Sequence, residues 1–401
     1  MSEQTKMRIL ILHNRYKLHG GEDVVVQQEA MLLRDAGFAV DIVEVSNDDI
    51  SGLGGKLATG LTTLYSPSSR KMVQQRLKEH RADVLHVHNF FPKLSPSVYD
   101  AAAAAQCAVV QTLHNYRLVC PGGTLFREGH ICTECLGRSV AWPSVQHSCY
   151  RGSKIGSATI ATMATVHRAL GTWREKVHRY IVLNDFALKV FMENAGLPKE
   201  RIRVKPNVVF DSGLGPREGR YALFVGRLSP EKGIDTLLQA AARPEFPFHL
   251  QIVGTGPLEA AVVAAAKMLP HRITYLGAQP RERVVELVGN ALVQIVASEW
   301  HEAGGPLTVG EAFAAGVPVV TTRLEPMATV VSDGVSGLLY TPRDPADLCR
   351  ALQEIAAHPE RMSEMRTAAR LRYENMYLPQ TNLSTLLSIY REAIVEAQQK
   401  R

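Results

Sequence analysis

Apolar and polar residues alternate in blocks along this chain. Short apolar runs at 7–13, 39–45, 83–89, 107–114, 180–184 and 202–209 have the length of buried strands. Helical spacing links them at 22–36, 69–80, 95–105, 154–177 and 185–195. In the first helix Val25, Val26, Leu32 and Leu33 supply the apolar stripe, and Gly37 supplies the stop. Residues 46–66 are polar and glycine-rich and read as a long loop. The stretch 210–220, FDSGLGPREGR, reads as a linker, and the alternation then restarts. Strands are expected at 221–226, 248–254, 273–277, 292–297 and 317–320, with helices at 234–242, 257–268, 281–289 and 307–315. Helices at 344–357, 359–374 and 380–398 complete the pattern. Strands that alternate with helices predict an α/β protein with two doubly wound parallel sheets facing a cleft, with ligands beyond the carboxyl ends of the strands.

The most informative stretch is 297–322, ASEWHEAGGPLTVGEAFAAGVPVVTT. It reads as strand end, glycine loop, helix and strand. Gly304 and Gly305 give the loop its freedom, and Pro306 is expected as the first helical residue because that position needs no N–H. Free N–H groups of Gly305 and Leu307, on either side of Pro306, and the helix dipole make an anion site. Glu302 and Glu311 flank it with hydroxyl acceptors, so phosphate plus hydroxyls suggests a nucleotide-sugar. Arg227 and Lys232, just past a strand end, are placed to clamp a diphosphate. The Gly254–Gly256 turn opens the next helix in the same way, and Gly20–Gly21 after the first strand is a weak phosphate-loop signal. His88, Asn89, His114 and Asn115 fall at strand ends. His114 is the favoured one, able to bond a sugar hydroxyl or shuttle a proton.

Charge sharpens the picture. The net charge is +6, but residues 1–206 hold 26 Lys+Arg against 18 Asp+Glu, or +8, leaving −2 for the remainder. An anionic membrane surface is therefore an expected partner of the first half. Nucleic acid is not, because no basic run carries interleaved aromatics. No apolar stretch reaches the roughly 18 residues of a membrane span, and the N-terminal segment lacks a signal-peptide layout. The expected location is cytoplasmic, peripheral to the inner membrane face. Thiols are then reduced. Cys120, Cys132, Cys135 and Cys149 include a CxxC knuckle, and with His130 or His147 as alternatives they could form a structural zinc site. Cys107 and Cys349 read as buried and inert.

VGRLSPEKG at 225–233, VGTGP at 253–257 and EAFAAGVPVV at 311–320, in this order, resemble family 4 retaining glycosyltransferases of the GT-B fold. LHNYRLVCPGG at 113–123 with the later CTEC resembles a bacterial polysaccharide and glycolipid subgroup whose N-terminal domain carries a cysteine-containing insertion, here 116–152. The resemblance covers about residues 7–395. It implies an acceptor domain over 1–208, a nucleotide-sugar domain over 209–378, and a last helix, 379–401, that crosses back to the first domain. It implies that Arg227 and Lys232 bind the diphosphate of a UDP- or GDP-linked donor. Glu311 would bind the ribose, Glu302 the donor sugar, and Gly20–Gly21 would lie near the phosphates. His114 would stand beside the transferred sugar, and no catalytic metal is expected. The acceptor would be a glycan or lipid-linked. One departure stands out: the family's paired glutamates are separated by seven residues, whereas Glu302 and Glu311 are separated by eight, with Ala303 at the usual position. Two other readings stay open, a nucleotide-sugar epimerase on the same scaffold and a non-catalytic sugar-nucleotide-binding protein.

Overall fold

A computed structural model describes residues 7–15, 20–46, 62–216 and 218–399. The expected loop at 46–66 lies mostly outside these residues, as do both ends of the chain. The strands are β1 (Arg8–Arg15), β2 (Ala39–Ser46), β3 (Val84–Asn89), β4 (Ala108–Thr112), β5 (Phe126–Arg127), β6 (His130–Ile131), β7 (Arg179–Val182) and β8 (Ile202–Val204). A second series follows: β9 (Tyr221–Val225), β10 (His249–Val253), β11 (Ile273–Gly277), β12 (Val293–Val296), β13 (Val319–Thr322) and β14 (Gly337–Tyr340). Among the described residues two six-stranded sheets result, ordered β2-β1-β3-β4-β7-β8 and β11-β10-β9-β12-β13-β14, and all of their strand pairs are parallel. Strand order reverses between β1 and β3 in the first sheet and between β9 and β12 in the second. Those switch points open crevices at the carboxyl ends.

The chain divides into two compact units. The first holds residues 7–125, 132–208 and 382–399 of the described chain; the second holds 126–131 and 209–381. The β5–β6 hairpin, expected within the first half, is grouped with the second unit. In the first unit Ile9, Ile11, Val84, Val110 and Ile181 form the sheet side of the core. The last helix, Pro379–Gln399, closes it with Leu386, Ile389, Tyr390 and Ala393 at helical spacing. Burial of each large apolar side chain there contributes about 2 kcal/mol. The second sheet is packed on both faces, by Leu237, Leu348 and Leu352 on one and by Val309, Phe313 and Tyr373 on the other.

Several expected elements change at identifiable residues. The stretch 154–177 is two helices, Lys154–Ala169 and Thr172–Glu175, split by Gly171 at φ +69. The strand at 202–209 ends at Val204, two residues before Pro206, which has no N–H for the ladder. For the same reason the strand expected at 317–320 starts after Pro318. Pro306 is the N-cap of the helix Leu307–Ala314 rather than its first residue, with ψ of 129 where a helix needs a negative value.

Candidate functional site

In the second unit, three loops leave the carboxyl ends of β9, β10 and β12, and backbone bonds tie them together. Leu228 donates to the Thr255 carbonyl (2.9 Å), Leu258 to Leu228 (2.9 Å) and Glu299 to Glu231 (2.9 Å). Such close approach explains the glycines. A Cβ on Gly254, at φ +132, would stand 1.9 Å from the Gly226 carbonyl oxygen, and one on Gly256 would stand 2.4 Å from that of Leu228. These two positions are therefore required by backbone packing at the rim, whatever else they touch.

On this rim Arg227 is exposed. Lys232 is directed at Glu302: its Nζ donates to Oε1 at 2.5 Å, and the ammonium lies 5.6 Å from the Trp300 ring centre. Ser298 donates to the same oxygen (2.5 Å). Glu302 is thus buried and held, and Gly305, in the loop between it and the helix that carries Glu311, stands at φ +58. Glu299, which the sequence reading passed over, is buried beside it; it accepts from Thr236 and pairs with Arg343 (3.2 Å). Glu311 projects from the helix Leu307–Ala314, with Arg281 4.0 Å away. Burial raises its carboxyl above the ordinary range, and Arg281 opposes that shift only in part.

In the first unit Gly20 is the N-cap of the helix Gly21–Asp35, and its N–H is taken by Asp23 (2.8 Å). The other Asp23 oxygen meets His13 Nε2 at 2.7 Å. Asn89 is structural, donating to the Asn14 carbonyl and accepting from the Phe91 N–H. Asn115 accepts from Arg117. His114 Nε2 and His88 Nδ1 are 2.9 Å apart. Behind His88 stands Glu29, whose Oε1 is 3.6 Å from His88 Nε2 and 3.1 Å from His86 Nδ1. Its other oxygen takes Lys205 Nζ at 3.1 Å, and Asn382 shares that ammonium (3.0 Å). His86 also meets Tyr390 and Thr112, each at 2.8 Å.

Burial works against the Glu29 charge, but Lys205 and then His86 outweigh it and hold the carboxyl well below the usual range. Burial, reinforced by His86, pushes His88 down to about 3, and burial with His88 lowers His114 as well. Both imidazoles are neutral at physiological pH, which assigns the protons. The ionised Glu29 faces an N–H on His88 Nε2. Bare His88 Nδ1 then accepts from His114 Nε2, leaving His114 Nδ1 as a hydrogen-bond acceptor. Glu29, His86 and His88 also form a donor set within 4.8 Å, but the Lys205 ammonium already supplies the cation there.

The six cysteines are free thiols. Cys107 and Cys349 are buried, and burial pushes Cys107 up to about 12. Cys120, Cys149 and Cys132 each act on the Cys135 thiol, although no three of the four sulfurs lie within 4.8 Å of one another. Burial, then Cys120, raises Cys135 to about 11, while the Ser144 backbone N–H opposes the shift. The Cβ direction of Gly122 meets Cys149 Cβ at 3.6 Å and Cys120 Sγ at 3.8 Å. His147 is engaged by Glu134 (3.2 Å), and His130 lies in the hairpin grouped with the second unit. Among the described residues no helix is long and apolar enough to cross a membrane.

Two family models match. One, glycosyltransferase family 4, covers residues 19–211; the other, glycosyl transferases group 1, covers residues 210–372. A D-inositol 3-phosphate glycosyltransferase of Acidothermus cellulolyticus is 32% identical over 234 residues, half of each chain. The chain spans about half the length of the curated relatives it matches. Among solved structures, a sucrose-phosphate synthase from Thermosynechococcus elongatus has a TM-score of 0.71 at 17% identity, covering 98% of this chain and all of that one. Anabaena Alr3699/HepE in complex with UDP has a TM-score of 0.66 at 16% identity, covering 95% and 99%. Both share the fold.

Proposed function

The chain belongs to the family 4 glycosyltransferases, and from that premise we propose that it is a retaining transferase moving a sugar from a nucleotide-sugar to a glycan or lipid-linked acceptor. The observation that supports this reading is the rim of the second sheet, where the strand order switches between β9 and β12: Lys232 is paired with Glu302, Arg227 follows β9, and Glu311 lies on the helix that follows β12. Arg227 and Lys232 hold the diphosphate, and Glu311 accepts from the ribose hydroxyls. Lys232 leaves Glu302 for phosphate, which frees that carboxylate for a hydroxyl of the donor sugar. His114, through its Nδ1, accepts a hydrogen bond from the transferred sugar.

In the reaction the bond between anomeric carbon and diphosphate oxygen breaks, and the acceptor oxygen bonds to the same face of that carbon. The acceptor proton passes to the departing phosphate oxygen. The protein's contribution is positioning and neutralisation of the leaving charge. Structures resembling this chain carry UDP, which supports a uridine donor. Cys120, Cys132, Cys135 and Cys149 are proposed to hold a structural zinc, a role their donor type and the Cys132–Cys135 spacing fit and for which their sulfurs would draw together. The acceptor is proposed to be membrane-proximal, with the first unit peripheral to the inner face.

Thermal unfolding with UDP, GDP, ADP and CMP tests the donor site. A hundredfold excess over Kd stabilises by about 2.7 kcal/mol. One nucleotide is expected to raise Tm in the natural protein and not in Glu311→Gln or Lys232→Ala. Absence of any shift, or equal shifts in both variants, would overturn the assignment of the rim.

A further inference from the structure

Large apolar side chains exposed to solvent concentrate in one part of the first unit. Ile155 is 72% exposed, Leu170 65% and Trp142 58%, with Val140 and Val166 also exposed. Ile155, Thr159, Thr162 and Val166 recur at helical spacing along Lys154–Ala169, so an uncharged stripe faces outward while Ile160, Met163 and Ala164 are buried on the other side. Thr165 bonds the Ser139 carbonyl (3.3 Å) and Arg168 bonds that of Arg138 (3.2 Å). These bonds lay the segment carrying Val140 and Trp142 beside the end of that helix.

Charge in the same region has one sign. From residue 135 to 174 there is no aspartate or glutamate, although Arg138, Arg151, Lys154, Arg168 and Arg174 all fall there. Arg138, Arg151 and Lys154 are exposed, and none joins an ion pair among the described residues. Unpaired cations around exposed Trp, Ile and Leu, in a segment whose nearest carboxylates along the chain, Glu134 and Glu175, are paired with His147 and Arg174, have the chemistry of a helix lying in a lipid interface. A protein partner would meet the apolar stripe but leave the excess of unpaired cations unexplained.

We propose that this face, the helix Lys154–Ala169 with Trp142 beside it, docks on an anionic lipid surface. Ile155 and Trp142 enter the headgroup layer while Arg151 and Lys154 meet lipid phosphates. The inference rests on the membrane-proximal part of the proposed function and not on the donor chemistry, so the nucleotide shift is measured in parallel on the same samples.

The test is co-sedimentation of the full chain with phosphatidylcholine vesicles containing about 30 mol% phosphatidylglycerol, at low salt and at about 0.5 M salt. Binding is expected to need the anionic lipid and to fall with salt. The double variant Arg151→Glu, Lys154→Glu is expected to weaken it about tenfold or more. Ile155→Ser is expected to weaken it without changing its salt dependence, and Met268→Ser, an exposed apolar site of the second unit, to leave it unchanged. Trp173 is buried and Trp142 is not, so a blue shift in fluorescence should accompany binding and shrink in Trp142→Phe. Equal binding to neutral vesicles, no binding, or unaltered binding by the variants would each overturn the proposal. So would a concentration-dependent dimer that Ile155→Ser abolishes. A nucleotide shift that persists in all variants shows that only the docking face has failed.

Discussion

Glu29 was invisible as a functional group in the sequence, where it sits among the polar positions of an ordinary amphipathic helix. Its partners lie far along the chain: Lys205 is 176 residues away, and Tyr390, which meets His86, is 304 residues from that histidine. Strand-end histidines are legible because a period of two puts His86 and His88 on one face of β3; the carboxylate behind them is set only by tertiary packing. Its consequence is measurable as pH dependence. Burial lowers the pKa of His114 and takes that of His88 to about 3, so the unfolded chain binds more protons below about 6.5, for His88 down to about 3. Stability must then rise with pH through that window and be lost as pH falls below about 6.5. Glu29 acts lower: its depressed carboxyl contributes stability that is lost only as pH falls through its own acid value. Urea midpoints measured between about pH 7 and pH 5 should fall steeply in the natural protein and less in His88→Asn. Identical slopes would show that the pair does not stay neutral in the fold.

At the scale of elements, the strands were legible because buried parallel strands are near-continuous apolar runs. The glycines at strand ends were also visible, but not their cause, which is backbone meeting backbone at Gly254 and Gly256. Helix ends were less legible. Gly171 breaks a helical pattern by adopting a positive φ, and Pro306 stands one residue earlier in its helix than its preference for the first turn suggests. The cysteine segment was readable only as a spacing, since its small hairpin and turns have no periodicity. If its thiols bind zinc, the purified protein should contain about one zinc per chain by elemental analysis. Cys135→Ser should lose that metal and unfold at lower temperature, while an ordinary exposed Cys→Ser change would cost little. Metal-free protein with an unchanged Tm in the variant would leave four unrelated thiols.

For the whole molecule, the feature that matters most is that the first unit is discontinuous. Its sheet is made early in the chain, yet Leu386, Ile389, Tyr390 and Ala393 from the last helix complete its core. No local signal in residues 7–208 announces that missing wall. A fragment of residues 209–381 is therefore expected to fold alone and be stabilised by the nucleotide that stabilises the full chain. A fragment ending at residue 208 should be insoluble or lack a cooperative melt. Circular dichroism melts of the two fragments check this, and a cooperatively folded 1–208 fragment would refute it.

The same discontinuity bears on how the protein is made. A ribosome releases residues in order, so the half that emerges second has nearly all of its own chain before the half that emerged first can finish. During that interval the apolar face of β1, β3, β4 and β7 is covered only by Val26, Ala30 and Leu33 of the helix Gly21–Asp35, and the part that the last helix covers is open. Nascent chains stalled before Leu386 should therefore expose a surface that chaperones bind, and stop codons in the last helix should be far more damaging than their distance from the rim of the second sheet would suggest.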